Sequence, residues 1–190
     1  MKRYIPILVA TVAFAPACSQ KEATATDTET TSAAQTGSGT GTTASLSRED
    51  REFMTKAAFG GMYEVMLGQQ IEKKATHPDV RAFAAKMVAD HGKANEELKG
   101  LGAKKGFTVP AQLDADHRED LEELTRLTGA ELDKKYIDEM VDDHEDDVEE
   151  FRDASKEAKD ADVRAWAAKT LPILEGHLAE AKKLKERLGG

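Results

Sequence analysis

Asp79-Val80-Arg81-Ala82-Phe83-Ala84-Ala85-Lys86-Met87-Val88-Ala89-Asp90-His91 carries two messages at once. Val80, Phe83, Met87 and His91, continued by Ala94, Leu98 and Leu101, recur at steps of three and four, the spacing that lines one face of an α-helix. The first eight residues return with one aromatic exchange as Asp162-Val163-Arg164-Ala165-Trp166-Ala167-Ala168-Lys169. A second echo sets Met87-Val88-Ala89-Asp90-His91 against Met140-Val141-Asp142-Asp143-His144. A helical segment that recurs implies that the second and fourth long helices are structural equivalents. The first repeat reads as duplication of a helical hairpin, and the second as a shared site or chance.

The same periodicity runs through the neighbouring segments. Ser47 with Asp50 resembles a capping box, and Phe53, Ala57, Gly61, Glu64, Gly68, Ile71 and Ala75 follow as one face of a long helix. Thr76, His77 and Pro78 punctuate it, with Pro78 suited to the first turn of the next helix. Gly102, Gly106 and Pro110 interrupt that second helix, and a shorter helical stretch spans about Asp116 to Leu127. Thr128 with Glu131 is a second capping box, opening a helix with Leu132, Tyr136, Met140, His144, Val148 and Phe151 on its stripe. The last helix follows Asp160 and Ala161 and presents Val163, Trp166, Thr170, Leu174, His177, Ala181, Leu184 and Leu188. No stretch alternates with period two, so the domain, residues 48–190, is predicted to be all-α. Four such stripes bury one another most simply in a four-helix bundle. Residues 103–128 exceed the usual helix connection and are expected to cross the bundle from end to end.

The chain before this domain reads as an address. Lys2 and Arg3 precede an apolar run from Tyr4 to Phe14, and Ala15-Pro16-Ala17 leads to Cys18, so residues 1–17 form an export signal. That run is too short to span a membrane. Ala15-Pro16-Ala17 suits ordinary cleavage, while small residues before the single Cys of the chain resemble a lipobox, after which Cys18 becomes the acylated first residue. Its position favours lipidation, because an unpaired exposed thiol is a liability in an oxidising compartment. Ser19 after the Cys resembles the sorting signal of outer-membrane lipoproteins. Nine Thr, five Ser and three Gly fill Ser19–Ser47, with Leu46 the one large apolar residue, so 18–47 is expected to be a lipidated Cys and a disordered tether.

Charge removes several function classes. The 190 residues carry 27 Lys+Arg against 36 Asp+Glu, a net −9, which becomes −11 once Lys2 and Arg3 leave with the signal. Such a chain repels polyphosphate and anionic headgroups, so no nucleic-acid partner is expected and membrane contact rests on the lipid. Phosphate loops, CxxC pairs, GxSxG and HExxH are absent from the sequence, and no separate nucleophile and base can be read, so an enzyme is disfavoured.

Glu64, His91, His144 and His177 interrupt apolar stripes near the middle of their helices. At about 1.5 Å per residue each lies roughly 20–25 Å from its helix start, so all four fall at one level whichever way the helices run. A buried carboxylate without partners costs several kcal/mol, so Glu64 must be protonated, bonded to imidazole or bound to a cation. One carboxylate and three imidazoles suit a single ion such as Zn, Cu, Ni or Fe; a metal-free polar layer that fixes helix register is the competing reading. Met87 and Met140 lie four residues before His91 and His144, and Met62 and Met66 flank Glu64, an arrangement open either to Cu(I) or to ordinary core filling. His77 and His117 are read as surface residues, the acidic run around His144 as a solvated face, and Pro172 as a kink before His177.

Several of these residues carry a resemblance: Ala57-Ala58 through Glu64 and Gly68, Phe83-Ala84, Met87-Val88, Asp90-His91, Thr128-Gly129, Tyr136, His144, Leu171-Pro172 and His177. From Arg48 to about Ala181 the chain resembles the bacterial envelope proteins grouped as domain of unknown function 4142. The resemblance implies a ferritin-like four-helix fold and an envelope location, without a settled activity. The di-iron ferritin pattern itself is not met. It requires Glu-x-x-His on two helices, and Val88 and Leu174 stand three residues before His91 and His177. The expectation is therefore an envelope-anchored lipoprotein facing the periplasm that binds one transition-metal ion for metal handling or stress response. The alternative is a structural or interaction module with an envelope protein partner.

Overall fold

In a computed structural model, residues 45–189 are described and fall into five helices: α1 (Arg48–Lys74), α2 (Pro78–Lys105), α3 (Ala115–Thr125), α4 (Gly129–Glu157) and α5 (Ala161–Gly189). The signal, Cys18 and nearly all of the tether lie outside the described residues. Leu46, at the tether's end, is buried against the domain. No described helix is long and apolar enough to cross a membrane.

Two antiparallel hairpins, α1–α2 and α4–α5, make up the bundle, joined along α2–α5 and α1–α4. Ion pairs and one hydrogen bond give the directions. Lys56–Glu150 at one level and Tyr63–Glu139 at the next run α1 against α4, and Asp79–Arg187, Lys86–Glu180 and Glu97–Lys169 run α2 against α5. The order is up, down, down, up, so the chain between α2 and α4 must travel from one end of the bundle to the other, as its length predicts. It does so through α3, which packs beside α1 and α4.

Each hairpin holds the other's loop through one buried aspartate. Asp50, in the first turn of α1, accepts from the backbone N–H groups of Lys159 and Asp160, both at 2.9 Å. Asp133, in the second turn of α4, accepts from the N–H groups of Thr76 (3.0 Å) and His77 (2.7 Å) and from the Thr76 hydroxyl. Asp50 and Asp133 are 83 positions apart, the same interval that separates Asp79 from Asp162. The interval therefore extends the repeat from α2 and α5 to α1 and α4, as hairpin duplication requires.

Three local expectations need correction. Ser47 does cap α1, accepting from the Asp50 N–H at 3.0 Å, but the Asp50 side chain turns to the opposite loop and completes no box. Thr128 makes no side-chain cap at all, because Gly129 enters α4 at φ +65°, in the left-handed region. Gly102 does not end α2, which runs to Lys105. A Cβ there would lie 2.8 Å from the Phe107 carbonyl oxygen and from Val109 Cγ2, so the glycine lets the crossing chain press against the helix. Pro172 lies within the continuous span of α5.

Apolar side chains form two clusters along the bundle. One gathers Leu67, Phe83, Met87, Tyr136 and Met140, and the other Met54, Leu98, Val148, Phe151, Trp166 and Leu174. In the second, Phe53, Phe151 and Trp166 hold ring centroids 5.0–5.8 Å apart, contacts of about 0.5–1.5 kcal/mol per pair beyond simple burial. Along the stripes, His91 falls between Met87 and Leu98, and His144 between Met140 and Val148. The polar layer therefore divides the two clusters.

Candidate metal centre

One residue per long helix builds the centre: Glu64 from α1, His91 from α2, His144 from α4 and His177 from α5. All four are buried, none more than 5% exposed. Their common depth follows from helix length and the antiparallel hairpins, which carry mid-helix positions to the bundle's midpoint. The three ring centroids are 5.3–5.5 Å apart, and one ligand-capable nitrogen from each ring lies within 4.8 Å of the others.

A chain of contacts links them. His91 Nδ1 lies 2.6 Å from Glu64 Oε2, His144 Nδ1 lies 3.5 Å from Glu64 Oε1, and His144 Nε2 lies 3.3 Å from His177 Nδ1. His177 Nε2 then meets Asp90 Oδ2 at 2.9 Å. Donation of that N–H to Asp90 leaves the His177 Nδ1 lone pair facing inward. The Glu64 contact is different in kind. Although close, it is off the axis of the ring N–H, and neither oxygen of Glu64 accepts an aligned hydrogen bond. His91 Nε2, His144 Nδ1 and the Tyr136 hydroxyl are also buried without hydrogen-bond partners.

Burial sets the charges. It pushes His144 down to about 4, so its ring is neutral at pH 7, and it lowers His177 despite the help of Asp90. Burial also works to raise Glu64, but the imidazoles of His91 and His144 beside it bring the carboxyl below its ordinary value. Imidazole nitrogens beside a carboxylate form a donor set suited to a cation of borderline softness.

The methionines divide. Met87 and Met140 are wholly buried in the apolar cluster and serve as core, whereas Met66 is 41% exposed and turned away from the layer. His77 caps α2, accepting from the Asp79 N–H at 3.2 Å, and His117 pairs with Asp114 at 2.7 Å while packing on Tyr63 and Phe59. Sequence reasoning missed Asp90 as the partner of His177. Its one sequence signal is that it directly precedes His91, on a face that points to α5 only once the bundle is assembled. The acidic run is also not uniformly solvated: Asp143 and Asp147 are half-buried and line a cavity with Glu64. Burial, with Glu64 close by, pushes the Asp143 carboxyl up to about 8 and raises Asp147.

Solved structures share this fold. A DUF305 fragment from Deinococcus radiodurans is similar at a TM-score of 0.66 and 11% identity, covering 75% of this chain and 99% of its own. A DUF305 protein from Streptomyces coelicolor reaches 0.63 at 12% identity over 75% and 94%. A conserved hypothetical protein from Mycobacterium tuberculosis reaches 0.52 at 15% identity over 73% and 91%. No curated protein matches the chain. The match that identifies its kind spans residues 35–184, and by it the chain belongs to the family described as domain of unknown function (DUF4142).

Proposed function

We propose that the protein binds a single transition-metal ion, Zn, Cu, Ni or Fe, through His91, His144 and His177, with Glu64 as the fourth donor. The observation that carries this is the convergence of one ligand-capable nitrogen each from His91, His144 and His177, all buried and within 4.8 Å of one another, from three helices. Unpartnered buried polar groups are costly, and a cation among these rings would satisfy His91 Nε2, which has no other partner. The 3.3 Å between His144 Nε2 and His177 Nδ1 also matches the edge of about 3.3–3.4 Å expected for tetrahedral bonds of about 2.0–2.1 Å. Asp90 bonds to His177 as supporting carboxylates do for metal-ligating imidazoles, and Glu64 is the carboxylate nearest the other two rings, 2.6 Å from His91 Nδ1 and 3.5 Å from His144 Nδ1, hence the available fourth donor.

When bound, the ion would contribute Lewis acidity or one-electron chemistry according to its identity. The chain's own residues bind and orient it, exclude water and balance its charge. The signal, Cys18 and Ser19 support export with lipid anchoring at the outer membrane and are in keeping with metal handling or stress response in the envelope. A metal-free interaction module is the second reading. It is favoured by the His144–His177–Asp90 chain, which partly satisfies the layer without an ion.

Elemental analysis of protein purified without chelators separates the two. One ion per chain, lost in a His91→Ala, His177→Ala variant that keeps its helical circular dichroism, is the expected result. Protein that is metal-free and takes up no Zn, Cu, Ni or Fe on addition overturns the metal reading.

A further inference from the structure

The centre is closed, with no member more than 5% exposed, so an ion needs a route to it. Glu64 supplies one end of such a route. Besides facing the imidazoles, it lines a half-open cavity of about 140 Å³ between α1, α3 and α4, together with Asp120, Glu139, Asp143, Asp146 and Asp147. Tyr63 and His117 complete the wall. Both Glu64 oxygens and Asp143 Oδ2 are buried and lack hydrogen-bond partners, so unpartnered carboxylate oxygens stand at the inner end.

We propose that this cavity is the loading vestibule of the histidine centre, a transient site for a hydrated divalent cation that hands the ion inward through Glu64. The inference rests on the metal reading above. Three physical points carry it. A cleft lined by carboxylates concentrates cations and accelerates their capture. A liquid water occupies about 30 Å³, so the cavity admits roughly four to five waters, enough for a partly hydrated ion. Its oxygen donors suit a hydrated divalent ion in transit, while the nitrogen-rich centre holds a borderline ion more firmly. Handover is ligand exchange: water and vestibule carboxylates leave as imidazole nitrogens bond, with no change of oxidation state.

Duplication explains why the carboxylates sit here. Asp147 lies 83 positions after Glu64, the interval that relates Asp50 to Asp133, so it is the α4 counterpart of Glu64. Antiparallel packing of α1 and α4 brings the two to similar levels, where Asp147 lines the vestibule and Glu64 reaches both the vestibule and the centre.

Stopped-flow capture of Co²⁺ by the full chain tests this through its visible absorption. The Asp143→Asn, Asp147→Asn variant should load at least tenfold more slowly, because two carboxyl donors at the inner end of the cavity are lost, yet still reach one ion per chain. The Asp120→Asn, Glu139→Gln variant should slow in the same direction by less, which keeps the test open if the first variant folds poorly. Removing two exposed charges elsewhere, Asp153→Asn with Glu186→Gln, should leave the rate within twofold. Unchanged loading in both vestibule variants, or equal slowing in the exposed control, overturns the vestibule while leaving the metal centre intact. Failure of the unaltered chain to bind Co²⁺, Zn²⁺, Cu²⁺, Ni²⁺ or Fe²⁺ overturns both.

Discussion

Asp50, Asp133 and Glu64 are each 2% exposed, yet they belong to two kinds of region. At the bundle's ends the aspartates are saturated: Asp50 accepts two backbone N–H groups, and Asp133 accepts two N–H groups and a hydroxyl. At the midpoint Glu64 has imidazoles nearby and no aligned hydrogen bond. Equal burial therefore conceals opposite satisfaction. A saturated carboxylate holds loops, and its role ends with folding; an unsaturated one keeps binding capacity for something that arrives later. The saturated pair is also the firmer evidence of duplication, because each aspartate performs the same task for the other hairpin.

The largest effects should come from the saturated end. Asp133→Ala leaves the donors of Thr76 and His77 without their acceptor and should cost about 3–5 kcal/mol in urea unfolding, with Asp50→Ala nearer 2 kcal/mol. In metal-free protein Glu64→Gln should change stability by less than about 1 kcal/mol, because no well-made hydrogen bond is lost. A Glu64→Gln cost equal to that of Asp133→Ala would erase the distinction. Ion affinity should reverse the ranking. His177→Ala is expected to weaken Zn²⁺ binding by more than about a hundredfold in a competition titration with a chromogenic chelator, while Asp133→Asn that still folds leaves affinity unchanged.

Smaller effects sharpen the midpoint itself. Asp90→Asn, which alters the partner of His177 and not a ligand, should weaken ion binding by about 10- to 100-fold in the same titration. Asp143 should show itself through pH. Its folded carboxyl titrates near 8 against an ordinary value of 3.8, so its contribution is fully present below about 3.8 and is lost as pH rises towards 8. Asp143→Asn stays uncharged and should therefore gain stability relative to the unaltered metal-free chain between pH 4 and 9. Allowing for its partial exposure, the gain is on the order of 1 kcal/mol in urea melts. His144, pushed down to about 4 by burial, works the other way and loses stability as pH falls from about 6.5. The difference between variant and unaltered chain isolates Asp143 from it.

How much of this was legible along the chain depends on the range of the interaction. Stripe periodicity gave four long helices with boundaries close to those observed, and the stripe interruptions at Glu64, His91, His144 and His177 marked the layer. Caps were less legible, because Asp50 and Gly129 obey distant contacts and backbone geometry that a four-residue motif does not contain. Asp90 and Asp147 were missed for a related reason. Each lies beside a stripe, in a position where a charged residue is usually solvated, and only the packing of a second helix gives it a function.

The order of the helices, their stripes, the duplicated hairpin and the mid-helix height of the four polar residues were determined by sequence alone, because periodicity and chain length are local quantities. Tertiary structure alone decided which carboxylates are saturated, which nitrogen of each imidazole is free, and that Glu64 faces a histidine cluster on one side and an acidic cavity on the other. Those properties depend on the direction and distance of groups from 20 to more than 100 residues away, and hydrogen bonds and charges at that range are set only when the helices close on one another.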